Sequence, residues 1–316
     1  MTVAEAGVAR GPRRWTDALA VGGFRAGVAV ARFVPGVVAR GLVPPIAVGA
    51  RLLDAERRAM VERHLRRVNP TWSNAQVRRA VHRAFASYTR YWVESLRLPS
   101  LPPRVIDAGL RITGFDHVPA ALERGRGVII ALPHLGGWEW AGRWLTDRGY
   151  RVTVVVEKIE PPALFDWFVE WRSGLGLTVV PLGPGAAGAV LGALRQNEIV
   201  CLLCDRDIQG GGVEVEFFGE RTTLPPGPAT LALRSGATLL PVGVYFTDKV
   251  DGHDAIVRPP VPATREGSLR ADVARVTQLL AHELEYLIRR APEQWHLFQP
   301  NWPSDPGYAR AGRASS

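Results

Sequence analysis

Apolar residues along the chain fall into short uninterrupted runs, separated by stretches in which they recur every three to four positions. The run 127–132, Gly-Val-Ile-Ile-Ala-Leu, reads as a buried strand. The stretch 138–145, Trp-Glu-Trp-Ala-Gly-Arg-Trp-Leu, reads as a helix, with Pro133 and the Gly136-Gly137 pair marking the turn between them. The same reading predicts strands over 152–156, 177–181, 199–205, 213–218 and 238–246. Helices are expected over 54–65, 73–98, 163–174, 186–196, 227–235 and 269–290, and Ser73-Asn-Ala-Gln76 has the form of a capping box. Strands alternating with helices predict an α/β fold with a largely parallel central sheet flanked by helices. No linker-like change of composition and no repeat divides residues 1–316, so a single domain is expected, with loose ends at 1–14 and about 305–316.

Composition alters this picture mainly through charge. The chain has 316 residues, 47% of them hydrophobic and 22% charged, ordinary values for a folded domain with a sizeable core. Of the 39 basic residues only Lys158 and Lys249 are lysine, and the net charge is +9. Arginine forks phosphates bidentately, so anionic lipid, a phosphorylated ligand and nucleic acid are all admissible partners. Residues 19–53 are rich in Ala, Val, Gly and Leu but are interrupted by Arg25, Arg32 and Arg40. The longest uncharged run, 41–50, falls short of the roughly 20 residues a membrane span needs. Arginines at seven- or eight-residue spacing make a basic stripe on a helix, and this predicts amphipathic, membrane-associating helices over about 15–70. Pro35 and Pro44-Pro45 are expected to cut that region into short pieces. The two cysteines, Cys201 and Cys204, lie in a strand pattern that points them to opposite faces, which favours core packing over a metal or redox pair.

The candidate chemistry centres on His134-Leu-Gly-Gly-Trp-Glu139, at the carboxyl end of the 127–132 strand. Ligands gather at that edge of open α/β sheets. Two residues five apart on one helix would point about 140° away from each other. With His134 in the loop and Glu139 in the first helical turn, the two can approach. A neutral imidazole that donates one ring N–H to a carboxylate can take a hydroxyl proton at the other nitrogen, so Glu139 is expected to orient His134. Asp205-Arg206-Asp207 ends the 199–205 strand before Gly210-Gly-Gly212; Arg206 could hold a phosphate, and the carboxylates could bind sugar hydroxyls or orient that arginine. Glu157 ends another strand, and Arg172 lies on the following helix. A rival reading rests on Gly183-Pro-Gly185-Ala-Ala-Gly188, which with Asp205 one strand further on matches a dinucleotide-binding fingerprint and an oxidoreductase function, although Pro184 removes an N–H from the loop. A metal hydrolase would need ligands beyond His134, and no second histidine motif supplies them.

These features resemble the bacterial lysophospholipid acyltransferase superfamily, whose mark is an HxxxxD/E box at a strand end. Their order is similar to that of the lipid A lauroyl and myristoyl acyltransferase family. The order comprises HLGGWE at 134–139, an arginine before Gly174-Leu-Gly176, the strand-end DRD at 205–207, and Phe217-Phe-Gly219 with Thr222-Thr223 and Pro225. It continues through Leu231-Ala232, Ser235-Gly-Ala237 and Pro241 to Pro292-Glu-Gln-Trp295 and Trp302, so that the resemblance covers roughly 15–303. The chain departs from the lipid A enzymes in lacking an obvious single N-terminal anchor and in carrying Glu139 where many members have Asp. Within the family it resembles the mycobacterial branch that acylates phosphatidylinositol mannosides. The resemblance implies a glycerol-phosphate-acyltransferase-like fold and a peripheral enzyme at the inner face of the plasma membrane. It implies transfer of palmitoyl from palmitoyl-CoA to the 6-hydroxyl of the mannose on the inositol 2-position. His134 and Glu139 would be catalytic, and Glu157, Arg172, Asp205, Arg206 and Asp207 would bind substrate. Acyl-CoA would be donor substrate rather than cofactor, an anionic membrane surface a partner, and neither metal nor nucleic acid is called for. An acyltransferase acting on another glycolipid or lysophospholipid, an acyl-CoA thioesterase and a non-catalytic lipid-binding protein are the other readings.

Overall fold

A computed structural model describes residues 22–23, 33–158, 161–208 and 210–308. Its centre is a seven-stranded sheet in the order β1-β9-β8-β2-β5-β3-β4. The strands are β1 (Leu110–Thr113), β2 (Val128–Leu132), β3 (Val152–Val156), β4 (Thr178–Pro181), β5 (Ile199–Leu203), β8 (Thr238–Phe246) and β9 (His253–Val257). Every neighbouring pair is parallel except β8 with β9, so β1 and β9 run against the other five. A separate antiparallel hairpin joins β6 (Val213–Phe217) to β7 (Glu220–Leu224). The largely parallel α/β expectation therefore holds. β1, β7 and β9 were not legible beforehand, because they are short and half-exposed and lack the apolar runs that mark buried strands.

β2 is buried at all five positions, as a central strand covered on both faces must be. The chain leaves β2, passes over β5 to build β3 and β4, and returns to insert β5 between β2 and β3. β8 flanks β2 on its other side, so the carboxyl end of β2 lies at a topological switch point. On one face of the sheet the long helix α10 (Leu269–Arg290) buries Val273, Val276, Leu280, Leu284 and Leu287 at the spacing of a single helical stripe, and the Ser268 hydroxyl caps its start by accepting from the Ala271 N–H. α8 (Ala186–Arg195) and α9 (Gly227–Ser235) share that face. α6 (Trp138–Asp147) and α7 (Pro162–Ser173) cover the other, with α4 (Pro103–Ala108) and α5 (His117–Leu122) packed at its edge. Cys201 packs among the second group and Cys204 among the first, as their spacing along a strand required. Burial pushes the Cys201 thiol up to about 12 and raises that of Cys204 well above its usual value.

The N-terminal layer corrects two expectations. Residues Gly36–Leu53 form one continuous helix, α1, with Pro44 and Pro45 inside it. Both prolines lie on the outer side, and the carbonyls they free belong to the exposed Arg40 and Gly41, where water can satisfy them. By length and composition α1 could cross a membrane, although its longest uncharged run is short. In the fold it buries only Ala39, Val43 and Ala47, and it runs antiparallel to α3 (Asn74–Arg97), which also contacts α2 (Ala55–Val68). Its outward side exposes Val38, Leu42, Ile46, Leu52 and Leu53. The capping box at Ser73 forms as predicted, with Gln76 bonded back to the Ser73 N–H. At the other end, Asp305 begins no loose tail. It is buried and accepts from His64 Nε2, the Asn301 and Trp302 N–H groups and Arg67, so the segment 295–305 is tied to the body; 309–316 lie outside the described residues.

Candidate active site

The turn after β2 is dictated by close approach. Gly136 adopts φ +59°, and a Cβ there would stand 2.2 Å from the Val244 carbonyl oxygen. A Cβ on Gly137 would stand 2.8 Å from the His253 ring. The two glycines thus let the turn press against β8 and β9 before α6 begins, leaving His134 in the loop and Glu139 in the first helical turn. The C-terminal segment clasps the turn from outside. Gly136 N–H donates to the Gln294 carbonyl, and His296 N–H donates to the His134 carbonyl at 2.7 Å.

The partner of His134 is Asp205. His134 Nδ1 lies 2.6 Å from Asp205 Oδ1, and the His134 backbone N–H donates to Oδ2 at 3.0 Å. The Trp295 indole N–H also donates to Oδ2, at 2.7 Å, and the Asn301 side-chain amide holds the Asp205 carbonyl at 3.1 Å. Asp205 is completely buried. Burial alone would raise its pKa, but the charge and hydrogen bond of His134, with the Trp295 and backbone donors, hold the carboxyl below its ordinary value. With Nδ1–H donating to this carboxylate, Nε2 is left as acceptor on a side chain that keeps 26% of its surface open.

Glu139 does not orient His134, contrary to the expectation from the box. Its Oε1 accepts from Arg172 Nη2 at 2.7 Å and Nε at 3.1 Å, and from the Tyr91 hydroxyl at 3.3 Å. The spacing permitted an approach, but a half-buried guanidinium from α7 takes the carboxylate instead. Burial works against charge on Arg172, yet Glu139 more than compensates and holds its pKa above the ordinary arginine value. Burial and then the Glu139 charge raise Tyr91 well above the usual phenol. Trp138 bridges the two pairs, edge-on to the His134 ring at 5.7 Å and stacked on Tyr91 at 4.3 Å.

The remaining predicted groups bond to neither pair. Arg206 donates to Glu157 at 3.1 Å, one surface ion pair between two strand ends. Asp207 organises its own loop, accepting from the Gly210 and Gly212 N–H groups and the Thr223 hydroxyl. The dinucleotide reading fails on geometry. Gly183–Gly188 follows β4, an edge strand away from the switch point, and the acid meant for a ribose is consumed by His134 and Trp295.

Sequence reasoning missed Asn301, Tyr91 and His296, and it gave Trp295 a place in the order of features but no role at the site. His296 is buried beside Trp138 with its Nε2 2.8 Å from the Ser87 hydroxyl, and burial pushes it down to about 3. One signal for Asp205 was present. β2 and β5 pair with Leu132 opposite Leu203, and His134 and Asp205 each follow two residues later, so adjacent parallel strands deliver them side by side.

The model of the bacterial lipid A biosynthesis acyltransferases matches residues 8–304, and the chain belongs to that family, which makes it an acyltransferase. It is similar to the phosphatidylinositol mannoside acyltransferase of Mycobacterium tuberculosis H37Rv, 40% identical over 235 residues, which are 73% of this chain and 72% of the relative. The enzyme of the same description from Mycolicibacterium smegmatis is 38% identical over 74% of this chain and 75% of its own length. A lipid A biosynthesis acyltransferase from Haemophilus influenzae is 22% identical over 76% of this chain and 74% of its own length.

Proposed function

We propose that this acyltransferase moves palmitoyl from palmitoyl-CoA to the 6-hydroxyl of the mannose on the inositol 2-position of phosphatidylinositol mannosides, as a peripheral enzyme at the inner face of the plasma membrane. The acceptor follows from two mycobacterial relatives described as phosphatidylinositol mannoside acyltransferases, at 38–40% identity. The fold is read as glycerol-phosphate-acyltransferase-like, from the box placed at a strand–helix turn. The outward apolar side of α1 supports membrane association.

The observation that carries the mechanism is the 2.6 Å contact of His134 Nδ1 with buried Asp205. His134 Nε2 takes the proton of the mannose hydroxyl as its oxygen attacks the thioester carbonyl carbon. Asp205 holds the tautomer and stabilises the imidazolium that forms. The N–H groups of Trp138 and Glu139, in the first turn of α6, have no acceptor within the helix and are suited to the oxyanion. Collapse of the tetrahedral intermediate breaks the C–S bond, and the imidazolium returns its proton to the departing thiolate. Ester and free coenzyme A result. No acyl-enzyme is invoked: Cys204 is buried and Cys201 half-buried, and both thiols have pKa values far above neutrality. Glu139 acts on the site through Arg172 and Tyr91, as a positioning residue. Incubation with labelled palmitoyl-CoA and phosphatidylinositol mannosides tests the reading. Acylated glycolipid from wild type, lost in folded His134→Ala, is expected; no acylated product from wild type overturns the acceptor and donor together.

A further inference from the structure

We infer that a second, phosphate-binding site lies where α1 meets the start of α3, independent of the acyl-transfer site. Arg51 from the last turn of α1 and Arg78, Arg79, His82 and Arg83 from α3 line a groove of about 490 Å³. The α3 residues stand at i, i+1, i+4 and i+5, so one helical face brings them together. No carboxylate lines the groove. Many arginines elsewhere are paired, as in Arg66–Glu62, Arg97–Asp251, Arg143–Asp147 and Arg258–Glu283, whereas here four arginines converge with no carboxylate among them. Among the described residues Arg51, Arg78 and Arg79 have no ion pair, and Arg83 reaches Glu293 only at 3.8 Å. Convergent like charges repel. That repulsion is relieved when an anion with several acceptor oxygens sits in the groove, and guanidinium forks match phosphate oxygens bidentately. The ligand class is a compound with closely spaced phosphoryl charge, either the headgroup of an anionic phospholipid or a free phosphoryl compound.

The test uses the full chain at constant ionic strength, comparing Arg78→Gln/Arg79→Gln with Arg104→Gln/Arg124→Gln, which removes the same charge from exposed arginines elsewhere. One arm titrates inorganic pyrophosphate by calorimetry; the other measures co-sedimentation with phosphatidylinositol-containing and pure phosphatidylcholine vesicles. The groove variant is expected to weaken binding about tenfold or more in one arm, and the control variant to match wild type. Loss confined to pyrophosphate identifies a free phosphoryl ligand, and loss confined to the anionic vesicles a lipid headgroup. Equal binding by the two variants in both arms, or no binding by wild type in either, overturns the site. Melting curves check that the variants are folded, and single Arg79→Gln carries the comparison if the double variant melts early.

Discussion

Two acid–base pairs flank the start of α6 and are built in opposite ways. His134–Asp205 joins two adjacent parallel strand ends and leaves one imidazole nitrogen open, while Glu139–Arg172 is closed on both sides, with side chains only 5% and 18% exposed and a tyrosine as third member. In the first, the buried carboxylate spends its hydrogen bonds orienting a group that can still react. In the second, the charges neutralise each other and brace α6 against α7. The difference teaches that the two ends of an HxxxxE box need not act on each other. The histidine's partner comes from a neighbouring strand and the glutamate's from a neighbouring helix.

The largest effect expected is at the turn itself. His134→Ala removes the proposed base, and transfer should fall roughly 10²–10⁴-fold with an unchanged melting temperature. Gly136→Ala places a Cβ against the Val244 carbonyl in a left-handed conformation, so it should cost both activity and several degrees of melting temperature. Calorimetry beside initial rates separates these outcomes.

Trp295→Phe sharpens the comparison from the partner side. It keeps the ring and removes one donor from Asp205. With that donor gone the His134–Asp205 pair holds a proton more tightly, so the acid limb of the kcat/KM profile should move to higher pH with a loss of roughly tenfold. A change in melting temperature with an unmoved pH profile would leave Trp295 a packing residue only.

His296 offers a smaller, thermodynamic effect. Its folded value of about 3 lies below the ordinary 6.5, so the unfolded chain takes up the proton first. The contribution is fully present above about pH 6.5 and is lost as pH falls toward 3. His296→Phe should therefore show a flatter decline of melting temperature between pH 7 and pH 4 than wild type.

Much of this was legible in sequence. The apolar runs of β2, β3 and β8 and the helical stripe of α10 announced themselves because each buries a continuous face. His134 and Asp205 were visible as strand-end polar groups, and Glu139 as a carboxylate at a helix start. The pairing was not, since it depends on β5 lying beside β2, a crossover that local periodicity does not encode. Trp295 and Asn301 reach Asp205 across some ninety residues of chain from a segment without regular structure. α1 misled because prolines inside a helix are tolerated when the freed carbonyls face water.

The central claim is that Asp205, and not Glu139, is the working partner of His134. Its most direct test is the ratio of transfer rates for Asp205→Asn and Glu139→Gln, measured on folded protein with the same donor and acceptor. The account predicts that Asp205→Asn loses roughly 10²–10⁴-fold, whereas Glu139→Gln, which keeps an oxygen for Arg172 and Tyr91, loses about tenfold. A Glu139→Gln enzyme as dead as His134→Ala, beside an Asp205→Asn enzyme near wild-type rate, would contradict it.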